Sequence, residues 1–129
     1  MAKNLRFGNM IFCEYAGRGE GGKSTLLNIY SGDILVSTFP ALLLFSFYVE
    51  CYPGNDSPLK VNIVIRKNGV DFAKVEPEIM PTKEGEPAVI MIQQISMTFD
   101  GPSLLEFKIA APEFVVKPTF KKAIRLNGG

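Results

Sequence analysis

The chain has 129 residues, 47% of them hydrophobic and 21% charged, with a net charge of +1 and no histidine. That size suits one domain, 1–129, with a core that buries roughly two-thirds of the unfolded chain's surface, and the composition excludes a disordered chain. Near-neutral charge, with acidic and basic residues mixed along the chain, argues against a polycationic nucleic-acid binder, and the lack of histidine excludes Ser-His-Asp and Cys-His catalytic sets and a His-ligated zinc.

The first apolar stretch, NMIFCEYA from Asn9 to Ala16, predicts a strand. It runs into GRGEGGKST, which contains Gly17, four residues, then Gly22, Lys23 and Ser24, the spelling of a phosphate-binding loop. That mechanism needs a helix leaving the loop, so that its N-terminal N–H groups converge on phosphate oxygens. The residues after Lys23, STLLNIYS, are few and rich in strand formers, too short for a parallel crossover of roughly a dozen residues. The string is therefore expected to be a hairpin whose glycines supply positive φ. Arg18 and Lys23 are the candidate contacts for an anion held weakly by this tip.

STLLNIYSGDILV predicts one strand, bent near Gly32, and ALLLFSFYVECY, Ala41 to Tyr52, predicts the central strand with Leu43, Phe45, Phe47, Val49 and Cys51 in the core. This run is shorter than the roughly 20 residues a membrane helix needs, and Glu50 interrupts it, so no membrane partner is expected. The N-terminus has no signal-peptide pattern, which makes the expected location cytoplasmic and Cys13 and Cys51 reduced, buried thiols; a bridge between them is expected only after export.

In LKVNIVIRK, Leu59, Val61, Ile63 and Ile65 alternate with polar residues, and Asn68-Gly69 supplies the two positive φ angles of a type I′ turn, so VDFAKVE pairs back antiparallel. Glu76 to Pro87 is expected to be an exposed loop. Ala88 to Phe99 is a strand with Val89, Met91, Ile95, Met97 and Phe99 on one face, followed by a turn at Asp100-Gly101-Pro102. Leu104 to Ala111 buries Leu105, Phe107, Ile109 and Ala111, and TFKKAIRL is a weak last strand or an edge. Prolines punctuate these runs and leave no long helix. The fold class is all-β, an antiparallel β-sandwich of roughly seven to eight strands, immunoglobulin-like or similar.

The order CEYA, a Gly22-Lys23 turn, LLNIYSGDI and TFPALLLFSFYVE resembles an uncharacterised bacterial and phage domain family of β-sandwich type. The resemblance covers mainly Ile11 to Glu50 and extends to GPSLLEFKI; members carry a shorter Gly-Lys turn than GRGEG makes here. It implies a fold and no activity.

Asp33, Asp56, Asp71 and Asp100 fall at expected turns, where aspartate is favoured for its own hydrogen bonding; no metal or other cofactor is assigned to them. The chain closes on Gly128-Gly129, which looks like the conjugation tail of ubiquitin-like modifiers, although nothing in the body predicts the central helix of that fold. The expectation is a non-catalytic binding or assembly module with a protein partner, not an enzyme, and with self-association at strand edges possible. The alternatives are a modifier conjugated through Gly129 and a nucleotide-binding protein.

Overall fold

A computed structural model describes residues 6–52, 58–83, 85–110 and 119–128. These residues form eleven β-strands and no α-helix. One sheet has the order β2-β1-β4-β9, built from Ser24–Ile29, Arg6–Arg18, Ala41–Tyr52 and Ala88–Phe99. The second has the order β3-β11-β10-β6-β7, from Ile34–Val36, Thr119–Leu126, Ser103–Ala110, Asn62–Lys67 and Val70–Val75. A two-stranded ribbon pairs β5, Leu59–Lys60, with β8, Glu78–Ile79. Every pairing is antiparallel except that of β3 with β11.

The two sheets bury their alternating apolar faces against each other, the arrangement of a β-sandwich. Phe12, Phe45 and Phe47 from the first sheet meet Phe107 and Phe120 from the second. The Phe47 and Phe107 centroids are 4.4 Å apart, and Phe12 packs edge-on to Phe107 at 5.0 Å. Leu59, Val61, Ile63 and Ile65 are all buried, as their spacing predicts, and the turn after them has φ of 53° at Asn68 and 79° at Gly69.

The strand count and four expectations about single elements change. STLLNIYSGDILV is two strands in different sheets, because β2 ends at Ile29 and β3 begins at Ile34 on the far side of the sandwich. TFKKAIRL is an inner strand, between β3 and β10. The Glu76–Pro87 stretch contains β8, whose Ile79 is buried beneath the ribbon. In β9 the buried side chains are Ala88 and Ile90, then Met97 and Phe99, so Val89 and Met91 face outward. The last change has a specific cause. Phe47 pairs with Ile92 and Phe45 with Ile95, so Gln93 and Gln94 together stand opposite Ser46, and this extra residue inverts the inward set. The strand count exceeds expectation because Val61 separates β5 from β6 and because β3 and β8 are short. Ala111 lies outside the described residues.

Cys13 and Cys51 are free thiols, both fully buried. Cys13 stands opposite Ser46 and Cys51 opposite Phe7, well apart along neighbouring strands, so the two are not placed to bridge. Burial pushes the Cys51 thiol from 9.0 up to about 11. The unfolded chain therefore releases this proton first, and stability that is complete below pH 9 is lost as pH rises toward 11. In urea denaturation the midpoint is expected to fall between pH 8.5 and pH 10.5, by less in Cys51→Ala than in the parent; an equal fall in both would contradict this account.

Candidate functional site

Gly17 to Thr25 is a hairpin. Gly17 pairs with Thr25 and Arg18 with Ser24, and the Gly19 N–H donates to the Lys23 carbonyl at 2.7 Å. The tip is a single 3-10 turn, Glu20–Gly22, with φ of 67° at Gly21 and 74° at Gly22, a left-handed pair that favours glycine. The chain leaves Lys23 as strand β2, in the place where a phosphate-binding loop needs a helix.

This hairpin does more than connect strands. Beyond Cys13 opposite Ser46, β1 has no further partner on β4 and pairs only with β2. The freed half of the hairpin bends over the outer face of β4 and β9. The Gln93 side-chain amide of β9 donates to the Ala16 carbonyl at 2.8 Å, and Ser46 and Tyr48, outward-facing by position on β4, are 0% and 8% exposed. Asn28 of β2 is left-handed, φ 54°, and donates from its side chain to Glu14 at 3.1 Å.

Between the hairpin and the sheet lies a cavity of about 460 Å³. Ile11, Leu26, Pro87 and Val89 give it apolar walls, while Asn9, Ser24, Tyr48, Glu50 and Glu86 supply polar groups. Glu50 is the centre of the polar set. Its Oε2 accepts from the Tyr48 hydroxyl at 2.9 Å, and its Oε1 from Asn9 Nδ2 at 3.0 Å. Burial first, then the Glu50 hydrogen bond and charge, raise the Tyr48 phenol above its ordinary value, and the Ser24 hydroxyl pulls the other way. Tyr48 is thus a neutral donor that fixes the carboxylate. A second cavity of about 280 Å³ shares Gly22, Pro87 and Val89 with the first; Arg18, Glu78, Met80, Thr82 and Ala88 complete its wall. The two lie side by side along these shared residues.

Of the residues the sequence singles out, Arg18, Gly22 and Ser24 reach these cavities, while Lys23 sits exposed on the tip and lines neither. Gly128 is a left-handed turn residue, φ 76°, just after Asn127, whose N–H donates to the Val36 carbonyl at 2.8 Å; Gly129 lies outside the described residues. Asp33 is paired with Arg125 at 2.9 Å and Asp71 with Arg66 at 2.8 Å, while Asp56 lies outside the described residues. No group of three or more Cys, Asp or Glu among the described residues is placed to hold a metal ion. No helix among them is long and apolar enough to cross a membrane.

Asn9, Tyr48, Glu50 and Glu86 have no motif to mark them. One signal is present: Tyr48 and Glu50 stand two apart in the most apolar strand, on the side that alternation gives to solvent. A comparison with known families finds no matching family model, and a comparison with curated proteins finds no significant relative.

Proposed function

We propose that the protein is a non-catalytic binding module that holds an extended segment of a partner protein in the groove between the β1–β2 hairpin and the outer face of β4 and β9. The observation that carries this reading is that two neighbouring cavities share Gly22, Pro87 and Val89 as lining residues, the layout expected of a trough that follows the hairpin. A trough suits a chain that lies along it, with apolar walls for side-chain stems and separated polar groups to fix register. The sheet beneath is rigid and the hairpin is held to it by Gln93, so much of the ordering cost of binding is met before the partner arrives.

Val89 tests the reading because it is half-buried on an outer face and lines both cavities. Val89→Trp fills the trough without touching the core. A displayed library of random peptides panned on the parent protein is expected to yield binders, and these are expected to lose binding to a folded Val89→Trp by tenfold or more, about 1.4 kcal/mol. No enrichment, or binders indifferent to Val89→Trp, would remove the groove as the site.

A further inference from the structure

We propose that the larger cavity is a pocket for a cationic side chain, the ammonium of lysine or the guanidinium of arginine, carried by the segment in the groove. The inference rests on the groove being the binding site and adds the chemistry of its anchor.

Glu50 and Glu86 are both among the lining residues, and among the described residues no lysine or arginine lines this cavity. Their situations differ. Glu50 is fixed by Tyr48 and Asn9, so its charge stands in one place before any ligand arrives, and Oε2 retains acceptor capacity beyond the Tyr48 bond. Glu86 enters the described hydrogen bonds only through its main chain, whose N–H donates to the Lys83 carbonyl at 3.0 Å and whose carbonyl accepts from the Thr82 hydroxyl at 2.8 Å. Its carboxylate forms no hydrogen bond or ion pair with any described residue. A pre-oriented acceptor and an unpaired one at the same cavity favour a donor that carries positive charge, because hydrogen bonds to charged groups contribute more than neutral ones.

The walls make the same selection. A lysine or arginine side chain presents an aliphatic stem before its charged head, and Ile11, Leu26, Pro87 and Val89 offer that stem an apolar surface. A bare metal ion would find those walls useless, and an anion would meet two negative charges. The 460 Å³ volume exceeds one side chain, which leaves room for water around the head group and for the neighbouring backbone.

The test uses blocked tripeptides, acetyl-Ala-X-Ala-amide, with X as arginine, lysine, citrulline or norleucine, titrated into the isotopically labelled full chain and followed by amide chemical shifts. The arginine or the lysine peptide is expected to shift Asn9, Glu50 and Val89, to bind about tenfold tighter than citrulline or norleucine, and to weaken as salt is raised. Which of the two binds tighter identifies the natural head group. Glu50→Gln and Glu86→Gln are each expected to reduce the preference for the cationic peptide several-fold; the second lies in a loop and leaves the Tyr48–Asn9 network intact. Equal binding of all four peptides, or no shift with any, would overturn the cation pocket. If library binders still depend on Val89 in that event, the groove stands and only its anchor chemistry has been misassigned; if they do not, both fall.

Discussion

Replacing Phe107 by alanine is expected to cost about 3–5 kcal/mol, a large part of the roughly 5–15 kcal/mol that holds a domain together. Phe107 is fully buried in β10, with Ile65 of β6 and Phe120 of β11 as its strand partners. Across the sandwich its ring lies 4.4 Å from Phe47, 5.0 Å from Phe12 and 6.4 Å from Phe45. One ring thus joins both sheets, and a truncated side chain leaves a void that four strands would have to close together. Strands pinned by main-chain ladders cannot move inward independently, so relaxation is limited and the cavity term persists. Phe107→Leu keeps most of the volume and is expected to cost about 1–1.5 kcal/mol, chiefly the lost ring packing. Urea denaturation of both variants measures the difference. An alanine cost under about 1.5 kcal/mol would mean that the aromatic cluster is not the keystone of the sandwich.

How much of this architecture is visible in the sequence depends on whether the information is local. The Asn68-Gly69 turn is legible, because two residues that tolerate positive φ determine the turn and the first pairs beside it, Lys67 with Val70 and Arg66 with Asp71, although the bulge that follows at Phe72 is not. The alternation of Leu105, Phe107 and Ile109 is equally plain and equally correct. The break at Tyr30–Asp33 is not, since alternation inside β2 and β3 is the same whether the strand continues in one sheet or crosses to the other. Strand placement within a sheet is also a long-range property: Lys121 and Lys122 give β11 the look of an edge, yet the Lys122 ammonium lies 5.6 Å over the Phe12 ring, its stem covering core. Burial lowers the Lys122 pKa while Asp33 opposes the shift, which fits a lysine drawn partly inside.

The candidate groove is the least legible part, for one physical reason. It exists because the β1–β2 hairpin bends back over its own sheet, and a bend of that kind is set by where β1 parts from β4 rather than by any residue type. The phosphate-loop spelling falls on the hairpin that walls this candidate groove. Gly22 and Ser24 line the larger cavity and Arg18 the smaller, as parts of a strand-turn-strand wall rather than of a loop that opens a helix.

The bulge that inverts β9 rests on one hydroxyl, and removing it is expected to cost about 1–3 kcal/mol. Ser46 is the buried polar side chain among the described residues, 0% exposed in the middle of the aromatic run of β4. Its Oγ accepts the Gln94 main-chain N–H at 3.1 Å. That N–H belongs to the extra residue of the bulge, where φ is 55°, and the strand ladder offers it no acceptor. Ser46→Ala leaves the donor half-buried and unpaired, whereas Ser96→Ala, on an exposed neighbouring position of β9, is expected to change stability by less than about 0.5 kcal/mol. The effect should also be local in a way that global stability does not report. Gln93 and Gln94 are the two residues opposite Ser46, and Gln93 donates to the Ala16 carbonyl of the hairpin. Loosening the bulge therefore frees the hairpin that walls the groove. In Ser46→Ala, hydrogen exchange is expected to accelerate at the amides of Gln94 and Ala16 ahead of those in β10, and peptides that bind the parent should bind more weakly even where the protein remains folded. Uniform acceleration across both sheets would show instead that Ser46 contributes to the core alone, and that the bulge and the groove are mechanically separate.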